Sequence, residues 1–220
     1  MKPIRGVLFL CPAALILCGG IASADTITVD CTVVTSPTEL NANIVCPQFS
    51  GGTLTSISIL VTGTISGTIS LTNNSAQPQT VSATENSQFN IGSLPGFSFT
   101  NPLFTASYGT GTQTLAAGAS QTFAGLTNTG SGTITNGGTF GPYTGSSSFD
   151  IPVSTLTGIS ILGGGGQIAS SQTTNASATA AVTYNFGPTT STVPEPATTA
   201  LLAGGLGLIG LGCYRRKKRT

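Results

Sequence analysis

The amino-acid sequence predicts an all-β protein, an antiparallel β-sandwich in the immunoglobulin-like or jelly-roll style, with an N-terminal signal peptide and a single C-terminal transmembrane helix. Three observations support this prediction. Apolar and hydroxyl residues alternate along residues 57–72, turn-forming residue pairs recur throughout the interior, and long apolar runs flanked by basic residues occur only at the two ends.

The alternation is clearest from Ile57 onward. The odd positions as far as Leu71 are Ile, Val, Leu or Gly, whereas the even positions are Ser or Thr with the exception of Leu60. Strict alternation is typical of a strand with one buried and one wet face. Gly63 and Gly67 lie where a bulge or bend is expected, so one long bent strand and two shorter strands both remain open. A disordered Ser/Thr-rich stalk, the competing interpretation, would need no such parity.

The same period recurs over residues 26–33 and 176–186. Shorter strand candidates are residues 79–83, 120–123, 132–135, 147–153 and 156–162. Turn chemistry separates them at Asn73-Asn74, Pro95-Gly96, Asn136-Gly137, Gly141-Pro142 and 163–166. We therefore predict one sandwich domain over residues 25–186, between a signal peptide at 1–24 and a linker at 187–193 that leads into a C-terminal segment at 194–220.

The N-terminal residues have the pattern of a secretory signal peptide. Lys2 and Arg5 precede an apolar stretch, and Ala22 and Ala24 supply the small residues at −3 and −1 that signal peptidase requires, which places cleavage before Asp25. An uncleaved anchor helix is the alternative. A lipoprotein signal at Cys18 is not predicted, because Leu17 rather than a small residue precedes it.

The C-terminal segment has three consecutive parts. Pro194, Glu195 and Pro196 come first, an apolar run at 197–214 follows, and a basic tail closes the sequence with Arg215, Arg216, Lys217, Lys218 and Arg219. The run has about the minimum length for a membrane-spanning helix. The tail should remain cytoplasmic by the positive-inside rule, which leaves the body outside.

The charges exclude several functions. All seven basic residues lie in the two end segments, there is no His, and the six acids lie between Gly6 and Tyr214. Because a body without cations cannot neutralise phosphates, nucleic-acid binding and phosphoryl transfer are not expected. The resulting negative, cation-free domain suits exposure outside the cell.

Two cysteines remain in the body, Cys31 and Cys46. An even pair in an exported chain favours a disulfide, and two independent buried thiols are the alternative. Two Cys without His make no structural zinc site, so we expect no metal and no cofactor.

Catalytic chemistry has few candidates. Without His or Lys in the body, no hydroxyl has a nitrogen base to activate it. Only Asp30, Glu39, Glu85 and Asp150 could form a glycosidase-like carboxylate pair, and nothing marks two of them as neighbours. No Asp-rich loop of the calcium-binding kind is present. We expect no catalytic residues.

Pro194-Glu195-Pro196, the Gly/Leu-rich run and the basic tail together resemble the PEP-CTERM sorting signal of Gram-negative bacteria. That resemblance implies recognition by exosortase, a membrane-embedded transpeptidase-like enzyme, and removal of the helix near the motif. A plain single-pass anchor is the alternative. Within the body, residues 54–73 and 176–186 resemble the choice-of-anchor domains, most closely the E type, for which no activity is established.

These observations lead to one principal hypothesis and two alternatives. The first is a non-enzymatic surface or matrix protein, processed by signal peptidase and exosortase, transiently in the inner membrane, and associated through its family resemblance with exopolysaccharide and biofilm. The second is a lectin-like module for polysaccharide, disfavoured by the absence of Trp. A hydrolase ranks last.

Overall fold

The computed structural model describes residues 24–187 and 204–206, and the first range forms a two-sheet β-sandwich. In that range the strands are β1 (Asp25–Asp30), β2 (Val34–Pro37), β3 (Asn41–Pro47), β4 (Thr53–Asn73), β5 (Gln79–Ile91), β6 (Phe104–Gly109), β7 (Gln113–Leu115), β8 (Ser120–Asn136), β9 (Ser148–Gly163) and β10 (Ile168–Gly187). Single turns of 3-10 helix lie at Gly141–Tyr143 and Gly164–Gly166. The prediction of an all-β protein with antiparallel sheets is confirmed.

Each sheet contains five strands. The first has the order β1–β10–β4–β8, and β2 pairs with the same edge of β10 as β1 does. The second has the order β3–β9–β5–β6, and β7 pairs with β5 on the side of β6. The chain changes sheet on both sides of β3, between β4 and β5, between β7 and β8, and on both sides of β9.

The core fills the space between the sheets, and the alternation along β4 explains why. Its odd residues from Ile57 to Leu71 face inward, and all of the apolar ones are fully buried, while Leu60 lies on the outer face and is 42% exposed. Since β4 continues from Thr53 to Asn73, the single long strand is the correct alternative. The inward face of β10 adds Ala176, Val182 and Tyr184 to the same core.

Gly63 and Gly67 have different roles on this strand. A Cβ on Gly63 would lie 2.6 Å from Cζ of Phe89 and 2.7 Å from its Cδ1, so the absence of a side chain makes room for a buried ring. Gly63 pairs in regular register with Gly130, and the expectation of a bulge there is wrong. At Gly67 the expectation is confirmed, because the register with β8 shifts between Gly67 and Ile69.

Other boundaries differ from prediction. The period over residues 26–33 is interrupted, since β1 ends at Asp30 and β2 begins at Val34, which leaves Val33 69% exposed. The candidates at 120–123 and 132–135 are the two ends of β8, and those at 147–153 and 156–162 together form β9. Strands β3, β6 and β7 were not predicted, because polar residues and short length conceal their period.

The sandwich is long, and both of its chain ends lie at one end of it. Asp25 pairs with Phe186, so the start of β1 and the exit from β10 are neighbours. The turns after β4 and between β9 and β10 lie at the far end, which we call the distal tip. At about 3.3 Å per residue, a strand of 21 residues spans roughly 70 Å.

None of the helical residues in the described ranges forms a helix long and apolar enough to cross a bilayer. The predicted signal peptide, the linker beyond Gly187 and nearly all of the predicted membrane helix lie outside the described residues. Residues 204–206 alone are described within that run, and they are helical.

Candidate functional site

The predicted disulfide is present. Cys31 follows β1 and Cys46 lies in β3, with sulfurs 2.03 Å and Cα atoms 4.5 Å apart. Cys46 is fully buried, and two hydrogen bonds flank the bridge, because the Thr32 N–H donates to Val45 O at 3.0 Å and the Val45 N–H donates to Thr32 Oγ1 at 2.8 Å. The bond therefore ties the two sheets together at the side where the chain passes between them.

Of the four carboxylates considered as catalytic candidates, only Glu85 is buried. It lies on β5, points into the sandwich and has no exposed surface. Its partners come from both sheets, since Tyr108 lies on β6 beside it and Thr174 lies on β10 opposite. Nothing in the sequence associates these three residues, because they are far apart along the chain.

The three side chains form a closed group. Tyr108 Oη donates a hydrogen bond to Glu85 Oε2 at 2.9 Å, and Thr174 Oγ1 donates to Glu85 Oε1. Tyr108 Oη and Thr174 Oγ1 are 3.1 Å apart. Burial is the main cause that raises the pKa of Tyr108 to about 12; the hydrogen bond with Thr174 lowers this pKa by a smaller amount, and the hydrogen bond to Glu85 and its charge raise it. A Cβ on Gly67 would lie 2.5 Å from Tyr108 Oη, so this glycine makes room for the phenol.

The hydrogen bonds of this group join the two sheets through a buried carboxylate, and we call Glu85, Tyr108 and Thr174 together the polar lock. A buried carboxylate needs hydrogen-bond donors, and the two hydroxyls provide them from opposite sheets. The described residues contain no cation that could pair with Glu85. With each oxygen engaged inside the core, the group has no opening to a substrate, and its effect is on the packing of the fold.

The other three carboxylates lie on the surface and on separate elements. Glu39 Oε1 accepts the N–H of Thr157 at 2.8 Å, and Asp150 Oδ2 accepts from Asn43 Nδ2 at 3.1 Å. Asp30 ends β1 and is exposed. Within the described ranges, no three His, Cys, Asp or Glu side chains converge as a metal site would require.

An apolar cleft of about 350 Å³ lies near the chain ends, with Ile27, Phe49 and Tyr184 among its lining residues. The Tyr184 side chain is 1% exposed and donates to Pro47 O at 2.6 Å, and Phe49 is 9% exposed. Their ring centroids are 5.3 Å apart. Sugar binding usually uses exposed aromatic faces, and here both rings are used for packing.

The outer face of the first sheet carries pairs of hydroxyls. Side chains on neighbouring strands bond to each other at 2.7–2.9 Å in five places: Thr28–Thr183, Thr64–Thr129, Thr68–Thr173, Ser70–Thr122 and Thr72–Ser120. Cross-strand hydroxyl pairs of this kind stabilise a sheet by roughly 0.2–1 kcal/mol each. They give this surface polarity without charge.

The C-terminal motif residues, Pro194 to Pro196 and Arg215 to Arg219, lie outside the described residues. Residues 192–217 match the protein family described as the PEP-CTERM protein-sorting motif. The chain carries a PEP-CTERM sorting motif. A motif of this kind is recognised by exosortase and marks an exported, cell-surface-directed protein. Strand β10 ends at Gly187, and the match begins five residues later, at residue 192.

Similarity to known proteins outside the motif is slight. No curated protein matches the chain. Among solved structures, that of infectious bursal disease virus Gx strain is 15% identical, covers 94% of this chain and 56% of its own, and has a TM-score of 0.16. The Gt strain of the same virus is 14% identical, with coverages of 90% and 49% and a TM-score of 0.17. The chain thus spans about half the length of these structures.

Proposed function

We propose that this protein is a non-enzymatic surface or matrix protein whose β-sandwich is displayed outside a Gram-negative cell after signal peptidase and exosortase have processed its ends. The observation that carries the proposal is the PEP-CTERM motif at residues 192–217. The resemblance of the body to choice-of-anchor E domains and the link to exopolysaccharide and biofilm are parts of this proposal.

The arrangement of the chain ends supports display. The start of β1 and the end of β10 are paired neighbours, so the sorting segment leaves the sandwich at the same end at which the chain enters it. At the opposite end the residues that the structure describes form turns, including Gly164–Gly166. A body roughly 70 Å long therefore extends away from the envelope, with its distal tip outermost.

The surface chemistry also suits this role. Within residues 24–187 the five acids are unaccompanied by any Lys, Arg or His, and hydroxyl pairs cover the outer face of the first sheet. Such a surface has no site for trypsin-like proteases and stays hydrated. The buried Glu85 group and the disulfide stabilise the sandwich without a cofactor.

Intact mass spectrometry tests the processing directly. The protein is isolated from the envelope and the medium of its host, with and without the exosortase gene. We expect a mass that starts at Asp25 and ends close to Pro194–Pro196 in the first strain and a heavier species in the second. A mass retaining Tyr214 and the basic tail in both strains would leave the alternative of an unprocessed single-pass membrane protein.

The polysaccharide-binding alternative has a separate test. Purified protein is incubated with the host's exopolysaccharide and sedimented with it, and a variant of Phe49 or Ile27 at the cleft serves as comparison. Since the aromatic rings of the cleft are buried, we expect no retention. Saturable retention that the cleft variants abolish would establish the lectin-like function in place of a purely structural one.

A further inference from the structure

One long side of the sandwich is covered over only part of its length. On this side the segment that passes from β2 to β3 bonds to both sheets: the Thr38 N–H donates to Thr174 O at 3.0 Å, and the Thr155 N–H donates to Leu40 O at 2.9 Å. The carboxylate of Glu39 then accepts the Thr157 N–H. Beyond this segment, towards the distal tip, neither β9 nor β10 has a neighbour on this side among the described residues.

Two uncovered strand segments result, at residues 158–163 of β9 and 168–173 of β10, which we call the distal edges. Since Thr155 and Thr157 of β9 bond towards this side, the backbone groups of Ile159 and Ile161 also point to it. On β10 the carbonyls of Thr174 and Ala180 point to this side, so those of Gln172 and Ser170 do as well.

The distal edges lack the features that usually prevent strand pairing. Natural sheets protect their edges with charges, Pro, bulges or very short strands. Here β1 carries Asp25 and Asp30, β2 and β3 end in Pro, and β7 has three residues. The edge of β8 is bridged to β6, because Asn128 Nδ2 donates to Ser107 O. The distal edges contain neither a charge nor a Pro, and Leu162 within them is 77% exposed.

We propose that the distal edges bind the distal edges of a second copy of this chain, in an antiparallel pairing about a two-fold axis normal to both sheets. A single axis of this orientation pairs β9 with its own copy in one layer and β10 with its own copy in the other. Such an axis needs the two uncovered segments to be level. The connection between the two strands indicates that they are, since Ser160 lies three residues before the end of β9 and Ser171 three residues after the start of β10.

The register follows from the direction of the backbone groups. When Ser160 faces Ser160 of the other copy, Ile159 of each copy forms a hydrogen-bonded pair with Ile161 of the other. In the other layer, Gln172 of each copy pairs in the same way with Ser170 of the other. The two layers then gain on the order of eight main-chain hydrogen bonds, comparable with the number in a stable interface. Leu162 lies opposite Gly158, a position with space for it, and charge repulsion is absent from the contact.

This pairing determines how the two copies are oriented. Because both strands pair antiparallel, the exits at Gly187 point in opposite directions. If the proposed surface display holds, the partner copies come from facing surfaces or from released protein in a matrix. The pairing itself does not depend on processing, so it is tested on the purified full chain in detergent.

Disulfide trapping is the first test. A non-hydrogen-bonded antiparallel pair has Cα atoms about 4.5 Å apart, within reach of a disulfide, so Ser160→Cys should cross-link two copies at residue 160 under mild oxidation. Ser148→Cys is the matched control, since Ser148 is exposed on the same strand but is paired with Pro47 of β3. Peptide mass spectrometry after chymotrypsin digestion identifies the link and separates it from any bond through Cys213.

A charge test complements it and needs no covalent trap. Ser160→Lys and Ser160→Glu place like charges face to face at the axis, which should weaken dimerisation about tenfold in sedimentation equilibrium. Ser148→Lys should leave it unchanged. A 160–160 link without a 148–148 link, together with this loss, supports the pairing. Equal linking at both positions, a monomer at tens of micromolar, or capture of a different protein by the distal edges would overturn it.

Discussion

Replacing Gly63 with Ala tests whether the core has room for a single added methyl group. The new Cβ would lie 2.6 Å from Cζ and 2.7 Å from Cδ1 of Phe89, well inside van der Waals contact. Phe89 is fully buried and stacks on Phe104 with centroids 4.8 Å apart, so its ring has no free direction in which to move.

Two effects of opposite sign determine the magnitude. Overpacking a filled core costs about 1–3 kcal/mol, whereas replacing a strand Gly with Ala contributes about 0.5–1 kcal/mol of stability. The steric effect is larger, and we expect a net loss of about 1–2 kcal/mol. For a chain of this size that lowers Tm by roughly 2–8 °C.

Thermal unfolding followed by circular dichroism provides the measurement, and a double-mutant cycle provides the mechanism. Phe89→Leu alone leaves a void and destabilises the protein, but it also removes the atoms that the new Cβ meets. The double variant should therefore be more stable than the sum of the single effects by about 1 kcal/mol or more. Gly187→Ala is the control, because Gly187 lies on β10 with nothing within 4 Å of its added Cβ. A neutral Gly63→Ala, or strictly additive effects, would refute the packing argument.

Three further predictions follow from the bonds, titrating groups and charges described above. Replacing both Cys31 and Cys46 with Ser should cost about 3 kcal/mol in urea unfolding, since the bridge closes a loop with a sequence separation of 15; an unchanged midpoint would contradict this. The pKa values of Tyr108 and Tyr184 are each raised to about 12, chiefly by burial. Because these tyrosines lose their protons at lower pH in the unfolded chain than in the folded one, the free energy of unfolding should be constant below pH 10 and fall between pH 10 and 12. The double variant Tyr108→Phe, Tyr184→Phe should show a smaller fall over that range. Trypsin should leave the processed body intact even in urea, because no Lys or Arg lies between Gly6 and Tyr214, whereas chymotrypsin should degrade it; tryptic fragments from the body would refute the processed boundaries.

The sequence was sufficient for those strands whose faces differ strongly in polarity. On β4 and β10 the inward residues are apolar and the outward ones mostly carry hydroxyls or amides, so the period is visible without a structure. On β3 the inward Ala42, Ile44 and Cys46 alternate with outward residues, but the strand is short and the outward Val45 is apolar, which weakens the period in the sequence. The role of Gly63 was also hidden, because the ring that requires it comes from β5 in the other sheet.

The polar lock could not be predicted for a related reason. Carboxylates on a sparse polar sequence usually lie on surfaces, as Glu39 and Asp150 do here. The burial of Glu85 depends on Tyr108 and Thr174, whose register against β5 and β4 is set by the pairing of whole strands. In the same way, the uncovered part of β9 becomes evident only when β3 is seen to end its pairing at Ser154.

The polar groups of the sandwich are arranged as expected for a domain that has no cations to form ion pairs. Hydroxyl pairs supply the outer polarity of the first sheet, and Glu85, the one buried carboxylate among the described residues, is satisfied by hydroxyls from both sheets. A fold with no cations gains nothing from ion pairs, so its specificity must come from packing, backbone pairing and hydroxyl bonds. The same absence of charge leaves the distal edges unprotected, because Lys, the usual means of blocking an edge, occurs nowhere in the body. In a protein that had to stay monomeric, one Lys in place of Ser160 or Leu162 would block this edge, whereas here both positions are uncharged and the edge remains free to pair.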